Sequence, residues 1–189
     1  MPPRPSLVLL FAVSTGCTDA DGPTLSKPRV TALRVGDRVP DEDEANAVGA
    51  LTAPIERDSA RFARLIRCED RRLIFKDEEK SGADRMMTRR LCDRLARLGT
   101  LVDARWPGCK LRITEAWDEQ REHAAASVHY EGRAADVTTS DMDAAKLGQL
   151  ARLAVEADLD WVYFEDETHV HVSVGAGVRG QGSGVRERK

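Results

Sequence analysis

Ser127-Val128-His129-Tyr130-Glu131-Gly132-Arg133-Ala134-Ala135-Asp136 leads into Val137-Thr138-Thr139, where apolar and polar side chains alternate. Successive strand side chains point to opposite faces, so Asp136 stands across from Ala135 and Val137 and presents a carboxylate from the sheet. Downstream, His169-Val170-His171-Val172-Ser173-Val174 alternates likewise, with two imidazoles and a hydroxyl on one face and valines on the other. The four histidines, His123, His129, His169 and His171, share this part of the chain with Asp136 and Glu165. Each alone has a plain structural explanation, a satisfied histidine beside a strand or an aspartate capping a turn near Thr138. Together, a carboxylate and imidazoles suit a zinc centre, in which three protein ligands leave a position open for water. Spacing alone leaves His169 and His171 equivalent as ligands.

Outward from this segment, Met87, Leu91, Leu95, Leu98 and Val102 draw one apolar stripe down a helix, opposite a solvated face of Arg85, Arg89, Arg90, Arg94 and Arg97. Ser81 is expected to cap its start, and Trp106-Pro107-Gly108 to end it. Lys110 to Thr114 alternates with Leu111 and Ile113 on one side, as a half-buried strand does. Ser140 or Asp141 is expected to cap a second helix with the stripe Leu147, Leu150, Ala151 and Ala154. Two strand segments follow, Trp161 to Glu165 and His169 to Val174, joined by the polar turn Asp166-Glu167-Thr168, and Leu73 to Phe75 supplies one more. This order predicts an α+β domain with helices packed on one face of a mostly antiparallel sheet.

The 189 residues fit one core, and 29 Lys+Arg against 32 Asp+Glu give a net charge of −3, without the basic surplus a general nucleic-acid binder needs. No apolar run reaches the roughly 20 residues of a membrane span. Arg4, the apolar run Leu7 to Val13 and Ser14-Thr15-Gly16-Cys17 read as a secretory signal over residues 1–16. The small residues before Cys17 resemble the lipobox of bacterial lipoproteins, with Ser14 where that family usually has Leu. Cys17 is then a lipid anchor in a bacterial envelope, the plain alternative being a secreted protein. Export permits one disulfide among Cys68, Cys92 and Cys109, with the pairing open. Residues 17–54 hold four of the eight prolines and the run Asp41-Glu42-Asp43-Glu44, and read as a tether with loosely ordered structure; 55–174 is the folded domain and 175–189, with five glycines, a disordered tail.

The opening segment also matches S-x-H-x-x-G-x-A-x-D, the pattern of bacterial zinc D-alanyl-D-alanine peptidases. Beyond it, Phe75-Lys76-Asp77-Glu78-Glu79, Gly82-Ala83-Asp84-Arg85, His129-Tyr130-Glu131-Gly132-Arg133-Ala134, Thr138-Thr139-Ser140-Asp141, the stretch from Leu150 to Ala157 and Asp160-Trp161-Val162-Tyr163 closely resemble the signalling domain of animal Hedgehog proteins, from about Val30 to Val174. The resemblance implies the shared Hedgehog/D-Ala-D-Ala peptidase fold. It places zinc ligands on His129, Asp136 and His171, the acidic residue beside the zinc water on Glu165, a proton donor or oxyanion-steadying group on His123, and His169 at the site lining. It places a calcium cluster on Glu78, Glu79, Asp84, Glu115 and Asp118, with Gln120 replacing the last aspartate, so calcium binding is expected to be weaker. No counterpart of the family's self-splicing, cholesterol-attaching domain follows Val174, so autoprocessing is not expected. Two functions follow as expectations. The first is an exported zinc metallopeptidase acting on cell-wall peptides of the D-Ala-D-Ala type, modulated by calcium and held to the membrane only by its lipid. The other is a non-catalytic signalling protein with structural zinc and calcium and a protein partner near the metals.

Overall fold

The structure, a computed structural model, describes residues 31–78 and 80–177. The expected signal, Cys17, Glu79 and most of the expected tail lie outside the described residues. In chain order the strands are β1 (Arg38–Val39), β2 (Ile66–Arg67), β3 (Leu73–Phe75), β4 (Met86–Met87), β5 (Leu111–Glu115), β6 (Ala134–Thr139), β7 (Trp161–Tyr163) and β8 (Val170–Ser173); the α-helices are α1 (Glu44–Val48), α2 (Arg89–Arg105) and α3 (Leu147–Glu156). One six-stranded sheet has the order β1-β7-β8-β6-β5-β3, and β2 pairs with β4 separately. Every pairing is antiparallel except β3 with β5, so the α+β expectation stands.

All six residues of β6 are buried, because it lies mid-sheet with both faces covered. Its Ala135 and Val137 join Val170, Val172, Leu111 and Ile113 under the stripes of α2 and α3, including Leu91, Leu95, Leu98, Val102, Leu147, Leu150 and Ala154. Removing this apolar surface from water, at roughly 25 cal/mol per Å², is what holds the helices to the sheet. The opposite face, carrying Asp136 and His171, is left for polar chemistry.

Both expected helix caps are displaced. Helix α2 starts later than the stripe suggested: Met87 sits in β4, though buried in the same core, and the Thr88 hydroxyl accepts from Leu91 N at 3.3 Å. Ser81 instead accepts from Ala83 N at the start of a short 3-10 turn. Asp143 caps a 3-10 turn before α3 by accepting from Ala145 N at 3.0 Å, while Asp141 holds Thr139 Oγ1 and Lys146 Nζ, both at 2.7 Å. In both cases an extra turn, invisible to the apolar periodicity, lies between the stripe and the expected cap. The arginine face is also less free than expected, since Arg90 pairs with Asp160 at 2.7 Å and Arg94 and Arg97 meet Asp158.

Residues 31–54, expected to be loosely packed, are integral to the fold. β1 forms the sheet edge beside β7, Val48 of α1 packs with Val128, Ala134 and Trp161, and Trp161 Nε1 donates to Glu42 O at 2.9 Å. Arg133, 3% exposed, donates to the carbonyls of Val48, Gly49 and Ala50. A two-residue strand and a five-residue helix are too short to leave a readable periodicity, and tertiary contacts order them. Cys68 and Cys92 form the disulfide, with Cα atoms 5.7 Å apart, and Cys109 is a buried free thiol.

Candidate metal centre

His129 enters the site on a 3-10 turn, Val128–Glu131, that Ser127 opens by accepting from His129 N at 3.2 Å. Gly132 closes the turn at φ 63°, where a Cβ would come within 3.2 Å of the Met87 backbone. These two local demands explain the Ser and Gly of the opening segment. Asp136 follows on β6, and the register sets it directly opposite His171 of β8. Three donors from separate parts of the chain therefore meet: His129 Nε2 lies 3.3 Å from His171 Nδ1 and 3.4 Å from Asp136 Oδ1, and His171 Nδ1 is 3.0 Å from that oxygen.

For bonds of about 2.0–2.1 Å, a tetrahedral zinc sets neighbouring ligand atoms about 3.3–3.4 Å apart. The three donors have nearly that spacing, so the residue set fits zinc. Their outer nitrogens are held as metal-binding imidazoles usually are. His129 Nδ1 donates to the Ala116 carbonyl at 2.6 Å, and His171 Nε2 meets Glu44 Oε1 at 2.7 Å.

Around this triad, Glu165 presents a carboxylate within 4.8 Å of the Asp136 and His171 donors, with 46% of its side chain exposed. His169 stands outside the triad on the rim, 3.9 Å from Asp136 Oδ1 and 3.4 Å from Glu165 Oε2. His123 stacks on His129 with ring centroids 3.9 Å apart and reaches Asp118 at 2.9 Å and Asp136 at 3.5 Å. The field favours positive charge. Burial opposes an imidazolium at His171, but Asp136 and Glu44 outweigh it and push its pKa up to about 10; His123, against the same penalty, is pushed up to about 9 by Asp136, Asp118 and Glu115. Asp136 is itself held well below its ordinary value, because the imidazoles outweigh the burial that would raise it.

The four described residues expected for calcium, Glu78, Asp84, Glu115 and Asp118, are not gathered equally. Asp84 and Glu115 line one small hollow of about 80 Å³ together with Gln120 and Glu122. Asp118 spends its oxygens on a turn, accepting from the backbone N–H groups of Arg121, Glu122 and His123. Glu78 lies beside a different hollow and pairs with Lys76 at 3.0 Å. Burial, joined by the nearby charges of Asp136, Asp118 and Asp84, outweighs the pull of His123 and raises the Glu115 carboxyl to about 7.

Two hollows flank the triad. One, of about 560 Å³, is lined mostly by polar and charged residues, among them Lys76, Arg112, Glu115, Thr138 and His169; the other, of about 350 Å³, includes Ala45, Ala124, Trp161, Tyr163 and Glu165. Sequence reasoning missed Glu44, whose acidic run read as a tether and which only the packing of α1 brings to His171. It also gave no sign that a register shift in β5 sets Glu115 opposite Asp136.

Fold and site together define an α+β domain with a group of residues spaced to hold a metal ion, and residues 16–173 match the family described as the Hedgehog amino-terminal signalling domain. The chain belongs to that family. Among its relatives, the Indian hedgehog protein of Gallus gallus is 53% identical over 133 residues, covering 70% of this chain and 33% of the relative. The Sonic hedgehog protein of Danio rerio is 45% identical over 177 residues, covering 90% and 42%, and the protein hedgehog of Drosophila hydei is 48% identical over 129 residues, covering 68% and 27%. The chain thus spans less than half the length of each of these relatives.

Proposed function

We propose that this chain is an exported signalling domain that acts by binding a protein partner, with a zinc ion held by His129, Asp136 and His171 as part of the partner-facing surface. The observation that carries the reading is the match over residues 16–173 to a family of signalling domains. The triad spacing of 3.0–3.4 Å supports the zinc. The Cys68–Cys92 disulfide supports an oxidising compartment, and therefore export. Calcium is proposed for the hollow shared by Asp84 and Glu115, where Thr114, Gln120 and Glu122 supply further side-chain oxygens. Zinc content and affinity of the purified chain test the centre: wild type is expected to hold one equivalent of zinc and Asp136→Asn to lose it. A wild type that takes up no zinc at neutral pH sinks the proposal.

One observation favours a second reading, a zinc peptidase acting on D-Ala-D-Ala-type cell-wall peptides and anchored in a bacterial envelope through Cys17. Glu165, an exposed carboxylate, lies within 4.8 Å of the Asp136 and His171 donor atoms. Zinc, when bound, would polarise a peptide carbonyl and lower the pKa of water. Glu165 would take the proton of the attacking water, and His123, beside Asp136, would steady the developing oxyanion. Incubation of zinc-loaded protein with D-Ala-D-Ala-ended muropeptides separates the readings. The signalling reading expects no product from wild type or Glu165→Gln; release by wild type alone establishes the peptidase.

A further inference from the structure

We infer that Glu44 is a positioning residue that couples docking of the N-terminal segment to metal binding at His171, so that residues 38–50 form a strap tightened from inside the site. The inference rests on the zinc reading above. The strap has few anchors. At one end β1 pairs two residues with β7, and at the other the carbonyls of Val48, Gly49 and Ala50 take hydrogen bonds from Arg133. Between them the strap crosses the rim of the site, held by Trp161 Nε1 on Glu42 O, by Val48 against Trp161, and by Glu44 Oε1 on His171 Nε2 at 2.7 Å. Trp161 in turn meets the His171 ring edge-on, centroids 5.6 Å apart. A two-residue strand and a five-residue helix have no stability of their own, so each contact weighs on whether the strap is docked.

The chemistry of the imidazole supplies the coupling. With Nδ1 given to a metal, His171 is neutral and carries its proton on Nε2, where Glu44 Oε1 is the acceptor already in place. The carboxylate fixes that tautomer and the ring orientation and raises the basicity of Nδ1. Linkage makes the effect reciprocal: whatever factor the docked strap adds to metal affinity, bound metal adds to docking. Glu44 also lines the roughly 350 Å³ hollow beside the centre, so strap position sets the shape of one flank of the site.

The test uses the full chain, zinc and cobalt(II). By competition with a chromogenic chelator, Glu44→Gln is expected to bind zinc about 10–100-fold more weakly than wild type, the usual cost of losing an outer carboxylate. Zinc is expected to slow amide exchange of residues 44–48 in wild type by at least about tenfold and to leave it unchanged in Glu44→Gln. In the cobalt(II) form, Glu44→Gln is expected to shift the visible ligand-field bands. By the same linkage Val48→Ala, which loosens the strap without touching His171, is expected to weaken zinc binding, and a Val48→Ala affinity equal to wild type counts against the coupling. Equal zinc affinity in wild type and Glu44→Gln, unshifted bands in Glu44→Gln, or zinc-insensitive exchange in wild type each overturn the inference. A wild type that binds no zinc overturns the zinc reading as well, and is thereby distinguishable.

Discussion

Glu131 and Arg133 lie at the end of the turn that carries His129 and show how a single residue sets the terms for a site it does not enter. Glu131 is 6% exposed, and its carboxylate is met by Arg133 at 2.7 Å and Arg61 at 2.6 Å. Burial alone would raise its pKa, but the two guanidinium groups outweigh it and hold the carboxyl below 4.5. A carboxyl depressed in the folded state stabilises fully above its unfolded pKa, and that contribution disappears as pH falls from about 4.5 through the folded value. Glu131→Gln leaves Arg133 buried with a charge poorly met, and is expected to cost about 3–5 kcal/mol at neutral pH. It should also flatten the decline of stability below about pH 4.5. Urea unfolding of both proteins across pH 3–7 checks both statements, and parallel pH profiles would remove the assigned role.

At the scale of the element, α2 is the helix on which the core rests. Leu91, Leu95, Leu98 and Val102 are all 0% exposed, so truncation leaves a cavity that the packed sheet cannot refill. Leu95→Ala is expected to cost about 2–5 kcal/mol in chemical denaturation. Thr88→Ala is expected to cost about 1 kcal/mol, because Leu91 N loses its cap, whereas Ser81→Ala should leave the helix unaffected. A larger loss for Ser81→Ala than for Thr88→Ala would contradict the observed helix start. The helix stripe was legible because its spacing repeats over four turns. Its first turn was not, since Met87 continues the spacing while belonging to a strand, and two residues of β4 are too few to interrupt the pattern. β1 and α1 were missed for the same reason: their order comes from Trp161 and Arg133, more than 80 residues away in sequence.

For the whole molecule, the disulfide joins the segment before β3 to the first turn of α2, across a sequence separation of 24. Closing a loop of that size restricts the unfolded chain by about 3 kcal/mol. Cys92→Ser in an otherwise intact chain is therefore expected to lower the unfolding free energy by roughly that amount, and the melting temperature by about 6–12 °C. A reduced wild type that melts with the oxidised one would show that the closure is energetically idle. The sequence by itself determined the α+β class, the two apolar stripes, the strand alternations and the residue types that bear the chemistry, because periodicity and short motifs are local properties. Its likeness to the Hedgehog signalling domain carried the site residues further than spacing could. Only the tertiary structure decided which cysteines pair, that strand register sets Asp136 directly opposite His171, and that Glu44 closes the far side of His171. Those outcomes depend on strand register and on contacts between distant segments, and no local pattern encodes where two such segments meet.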